Sequence, residues 1–166
     1  PEGIGLLHTT PELRARLRVG APGWTSIVDE GDAFRVDLAA DPSGRRLEAG
    51  ATNLGGIGGL GAAVELLQGA GVGAIWDHVD RWCQQLVDGL EELGATVCSD
   101  RAPARRSAIV AATFDGADPV ELADRLVAHG VVVAAWHGAL RFSPHGWNDV
   151  DDLAATLHAV RRATRR

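Results

Sequence analysis

The 166-residue sequence has no methionine and no tyrosine, and all 16 of its basic Lys+Arg residues are arginines, which leaves no lysine. That absence removes every mechanism that needs an amine side chain from within the chain: a P-loop phosphate lysine, a lysine general base, or a Schiff base to a cofactor. Cysteine is nearly as scarce. Cys83 and Cys98 are too few and too far apart for a disulfide framework or a zinc site, and Cys83 falls on an apolar helical stripe, as a core thiol would. The histidines at 8, 78, 129, 137, 145 and 158 are dispersed, with no paired or HExxH spacing, so no metal site is expected. No apolar run approaches the roughly 20 residues needed to cross a bilayer, and no secretory pattern opens the chain. A cytoplasmic protein with no membrane contact is the expectation.

What is present suits a globular chain: 46% hydrophobic and 23% charged residues, at a length that buries a full core. A formal net charge of −6 with scattered arginines argues against a nucleic-acid partner. The arginines at 161, 162, 165 and 166 form a small basic tail that complements a helix C-terminus. Because residue 1 is Pro, the expectation is part of a longer chain or a processed product.

Residues 3–8 are apolar enough for a strand, and Thr10-Pro11-Glu12 opens a helix. Residues 20–46 read as an irregular connection. Helical spacing resumes near Asn53 and ends at Gly69–Gly71, and 73–93 carries one continuous apolar face from Ile75 to Leu93. Strands are predicted at 96–99, 107–114, 131–136 and 139–143. Asp118-Pro119-Val120-Glu121 opens a further helix that closes at Gly130, and an Asn148 cap starts the last one. Paired strands and covering helices predict an α+β fold with a largely antiparallel sheet.

Two segments could carry chemistry. Gly56 to Gly61 matches the GxGxxG dinucleotide fingerprint but sits in a helical pattern rather than at a strand-to-helix turn, so it reads as glycines for close helix packing. Amides at the start of that helix, near Thr52 and Asn53, could still hold a phosphate. In Leu140-Arg141-Phe142-Ser143-Pro144-His145-Gly146-Trp147-Asn148, an arginine lies on an apolar strand. It must reach an anion or extend to solvent, and a structural ion pair and a ligand carboxylate serve equally well.

Taken together, Arg45-Arg46-Leu47-Glu48-Ala49-Gly50-Ala51-Thr52-Asn53, the Leu-Arg-x-Ser-Pro-His-x-x-Asn ending with Asp151 and Asp152, and Pro1-Glu2-Gly3-Ile4-Gly5-Leu6-Leu7 resemble three landmarks of the class V aminotransferases. These are fold-type I enzymes dependent on pyridoxal 5'-phosphate (PLP). The resemblance implies the end of a large cofactor domain over 1–50 and a C-terminal small domain over 51–166, with the family lysine falling just before residue 1 and the chain inactive alone. It implies Arg141 as the grip on the α-carboxylate of an amino-acid substrate, with Trp136 and His137 lining the site. Thr52 and Asn53 would reach the cofactor phosphate of the partner subunit in a homodimer. The family hydroxyl stands one place earlier, where this chain has Ala51. Desulfurases in the family carry a nucleophilic cysteine shortly before the carboxylate arginine, and residues 130–141 contain none. The resemblance is therefore taken as closer to isopenicillin N epimerase-like proteins than to cysteine desulfurases. The other expectation is a lysine-free, non-catalytic relative serving as a dimerisation or regulatory module.

Overall fold

The computed structural model describes residues 3–28 and 39–165, which divide into two compact units, Pro1–Leu66 and Leu67–Arg166. In the first, α1 (Pro11–Arg16) starts where the sequence places it: the Thr10 hydroxyl accepts from the Leu13 amide and Pro11 takes the first turn. Residues 3–8 do not form the expected strand. No strand pairs with them among the described residues, and Leu6 and Leu7 stay exposed. A short 3₁₀ turn, Gly44–Leu47, follows the Ser43 cap, and Ile27 bridges Ala40. Part of the irregular connection expected over 20–46 lies outside the described residues.

Helix α2 (Leu54–Ala70) contains the whole glycine pattern. A Cβ on Gly56 would stand 2.4 Å from the Asn53 amide nitrogen, whereas Gly58 and Gly61 face open space. Close approach therefore explains Gly56 alone. The helix setting removes the strand-to-helix turn a dinucleotide fingerprint requires.

The second unit is built on α3 (Val72–Glu92), whose Val79, Trp82, Cys83, Leu86, Val87 and Leu90 are buried as the 3.6-residue period predicts. Its sheet has four strands, β1 (Ala95–Val97), β2 (Val110–Phe114), β3 (Ala134–Trp136) and β4 (Ala139–Phe142), in the spatial order β1-β2-β4-β3, all antiparallel. Helices α4 (Pro119–Ala128) and α5 (Val150–Thr164) complete it. Val110, Ala112, Leu140 and Phe142 join Leu86, Leu90, Leu122, Leu126 and Val160 in one core. That is the α+β arrangement the element order implies.

Several boundaries differ from the sequence reading, among them the strand expected over 107–114, which begins at Val110. The strand expected over 131–136 begins only at Ala134: Gly130 takes a positive φ of 80° and the Val131 amide donates to Leu126 O, so the chain is still closing α4. The cap of α5 is Asp149, not Asn148. The Asp149 carboxylate accepts from the Asp151 and Asp152 amides while Asp152 accepts from the Asp149 amide, a reciprocal capping box.

Candidate functional site

Strand β4 alternates. Leu140 and Phe142 enter the core, and pleating sends Arg141 between them to the opposite face. The cross-strand neighbours of Arg141 are Ala111 on β2 and Ala134 on β3, too short to meet a guanidinium and unable to neutralise it. Arg141 is half-buried, and its Nε is buried with no hydrogen-bond partner. Among the described residues, the arginine–carboxylate pairs are Arg105–Asp100, Arg106–Asp80 and Arg125–Glu121, and none involves Arg141. Among the described residues Arg141 thus has no structural ion pair. A desolvated donor without an acceptor is costly, and a bound anion relieves it.

Trp136 and His137 stand beside it. β3 and β4 are joined by the two-residue turn His137-Gly138, closed by the pair Trp136 and Ala139. Both turn residues have positive φ, 50° and 81°, as a type I′ hairpin turn demands. The Arg141 Cζ lies 5.7 Å from the Trp136 ring centroid. The His137 ring meets the same indole edge-on at 4.9 Å and 89°.

After β4 the chain is held by Asn148. Its Oδ1 accepts from the His145 amide at 2.9 Å and its Nδ2 donates to Asp152 at 3.1 Å. His78 Nε2 lies 2.7 Å from Asn148 O, and Trp82 Nε1 donates to Asp149 O at 2.7 Å, tying the loop to α3. Asn148 is thus a scaffold for the segment after Arg141.

Thr52 and Asn53 lie in the first unit, at the start of α2. Asn53 Oδ1 accepts from the Gly56 amide at 2.8 Å and its Nδ2 donates to Gly3 O at 3.1 Å, so this side chain is committed to capping. Thr52 is exposed. The approach to this segment is fixed by Thr25, whose hydroxyl donates to Glu48 O, and by Gly23, where any Cβ would run into the Ala49 carbonyl.

The two thiols differ sharply. Cys83 is fully buried, and burial raises its pKa above the ordinary value of 9.0, whereas Cys98 is exposed. Neither stands on the β3–β4 hairpin. A further arginine pair escaped the sequence reading. Arg106 meets Asp80 at 2.6 Å, and Arg101 donates to Ser107 O at 2.8 Å while its Nε and one terminal nitrogen are buried without partners. In sequence both are loop arginines, indistinguishable from exposed Arg105. Among the described residues no group of three His, Cys, Asp or Glu could hold a metal ion, and no single helix is long and apolar enough to cross a membrane.

Comparison with known proteins gives a match over residues 1–146 to the family model "Aminotransferase class-V". A probable cysteine desulfurase of Pyrococcus abyssi is 24% identical over 170 residues, covering 95% of this chain and 42% of its own length. The chain thus spans about two fifths of that curated relative. Among solved structures, the cysteine desulfurase CsdA of Escherichia coli superposes with a TM-score of 0.82 at 23% identity, covering 98% of this chain and 43% of that one. The apo cysteine desulfurase of Thermococcus onnurineus gives 0.79 at 23%, covering 91% and 40%. These likenesses overturn the expected leaning toward isopenicillin N epimerase-like proteins. The leaning rested on one absent thiol in residues 130–141, whereas the similarity extends over nearly the whole chain.

Proposed function

The chain belongs to the class-V aminotransferase family, and on that footing we propose that it serves a PLP-dependent enzyme acting on an amino acid, with cysteine the substrate suggested by its relatives' names. What carries this is Arg141: a guanidinium whose direct cross-strand neighbours are Ala111 and Ala134, its Nε buried and unpaired, suited to a carboxylate in bidentate fashion. The residues present also suit the cofactor phosphate. The exposed Thr52 hydroxyl and the Gly55 amide are donors of the kind that hold a dianion, while the Leu54 and Gly56 amides donate to Thr52 O and Asn53 Oδ1 and keep that turn in shape. In a homodimer this loop would serve the second copy's cofactor. With no lysine in the sequence, the amine that secures the cofactor comes from outside these residues.

The cofactor, when bound, supplies the electron sink for bond cleavage at the amino acid. The work of this chain is binding and orientation. Arg141 fixes the α-carboxylate and so sets which substituent of the α-carbon faces the cofactor, while Trp136 and His137 form the wall beside it. None of these side chains needs to move a proton for that role.

The test uses the complete protein with PLP bound. Turnover of L-cysteine is followed as sulfide released in the presence of a dithiol reductant, and cysteamine, which lacks the carboxylate, serves as control. Arg141→Ala should raise KM for cysteine by about 10- to 100-fold, the worth of a charge-assisted hydrogen-bond pair. It should leave the cofactor's visible absorbance intact. Equal loss of substrate and cofactor binding would make Arg141 structural. Absence of any cofactor band at saturating PLP would favour the non-catalytic module instead.

A further inference from the structure

Trp136 is 58% exposed and lies outside the hydrophobic core, so burial does not account for its placement. It occupies the edge strand of the sheet, and its ring contacts are with Arg141 and His137. Trp136 pairs with Ala139, two residues before Arg141 on the same strand, which makes Trp136 and Arg141 diagonal neighbours on one face. Diagonal pairs in a sheet lie within reach of long and aromatic side chains. The alanines at 111 and 134, the direct neighbours of Arg141, give its long side chain nothing to lean on. The indole is its neighbour with an electron-rich face.

We infer that Trp136 is a positioning residue for Arg141: the indole takes the guanidinium against its face and thereby sets where the terminal nitrogens stand for a substrate carboxylate. This rests on the assignment of Arg141 to the carboxylate. A guanidinium free to swing would lose rotamer entropy on each binding event, and a guanidinium already held loses less. His137 is the second part of the device. It accepts a positive φ of 50° in the turn, a conformation that favours Gly or Asn, and its ring meets the indole edge-on. The tight turn and that edge contact restrict the indole, and the indole restricts the arginine.

The inference separates from a plain packing role by its dependence on the carboxylate. In the complete PLP-bound protein, calorimetry measures L-alanine, which carries the carboxylate, and ethylamine, which does not. Trp136→Ala should weaken L-alanine by about fivefold, the scale of an exposed cation–π contact, and change ethylamine by less than about twofold. Trp136→Phe, which keeps an aromatic face, should recover most of the loss. Trp136→Leu, which keeps apolar bulk without that face, should not. In an Arg141→Ala background, Trp136→Ala should add nothing. If Arg141→Ala alone leaves L-alanine binding unchanged, the carboxylate assignment fails and the positioning role with it. If Arg141→Ala abolishes binding while Trp136→Ala is silent, or if Trp136→Ala acts equally in both backgrounds or on both ligands, only the positioning role is overturned.

Discussion

Gly89 of α3 packs against Leu157 of α5, and adding one methyl group there tests whether steric fit or backbone propensity governs the contact. A Cβ built on Gly89 stands 2.5 and 2.7 Å from the two Leu157 methyls and 3.2 Å from Leu157 Cγ. Ordinary carbon contacts lie near 3.5–4.0 Å, so the leucine would have to retreat by about an ångström. Because Cγ is involved as well as the methyls, a simple methyl rotation does not suffice. Overpacking of this kind costs about 1–3 kcal/mol. Against it stands a helix-propensity gain of about 0.5–1 kcal/mol for Gly→Ala, in a helix that runs on to Glu92. Gly89→Ala should therefore destabilise by about 1 kcal/mol in urea unfolding at unchanged slope. In a Leu157→Ala background the obstruction is gone, and the same substitution should stabilise by about 0.5–1 kcal/mol. A reversal of sign between the two backgrounds is the signature. Stabilisation by Gly89→Ala in the parent chain would refute the steric account, and so would the same sign in both backgrounds.

Asp149→Ala should lower stability by about 1 kcal/mol through loss of the α5 cap, while Asn148→Ala should loosen the His145 loop and leave the helix end in place, as hydrogen exchange of the Asp151 and Asp152 amides can check. A thiol reagent should label Cys98 alone in the native protein and Cys83 only in denaturant; labelling of both without denaturant would contradict the burial described. The raised Cys83 pKa means the folded state keeps that proton longer than the unfolded chain. The linked stability is fully present below the ordinary value of 9.0 and is lost as pH rises through the folded-state value, which urea melts above pH 9 can follow and which Cys83→Ala should abolish. His137→Asn should stabilise the hairpin by about 0.5 kcal/mol, because Asn-Gly suits a type I′ turn better, yet release the edge contact on Trp136.

Helices were the most legible elements. The α3 stripe, the Asp118-Pro119 start of α4 and the Thr10-Pro11 start of α1 each follow from local chemistry that needs no partner. Strands were less so, because a ladder begins where two segments meet. Val131 to Val133 have strand composition but are claimed by the closing turn of α4, and Ile4 to Leu7 have it but pair with no strand among the described residues. The choice of Asp149 over Asn148 at α5 was hidden because both are good capping residues. The partner three positions on, Asp152, decides between them. At the candidate site, Arg141 could be singled out from its apolar flanks, but not the small cross-strand neighbours it meets, because Ala111 and Ala134 arrive from other strands. The subfamily was misjudged for a related reason. One missing side chain in the hairpin carried more weight than the framework around it.

Strand β4 sets the terms on which this region can change. Leu140 and Phe142 answer to the core, and Arg141 between them faces the other side of the sheet, where the proposed carboxylate contact would lie. Neighbouring codons on one short strand are thus under unrelated constraints. A saturation library over Leu140, Arg141 and Phe142 should split cleanly, with the outer two positions sorting variants by yield of folded protein and the middle one sorting them by ligand. On the proposed function, specificity can then drift at Arg141 and along the Trp136–His137 rim while the core keeps its composition. A fold arranged in this way can lend one scaffold to several substrates without being rebuilt.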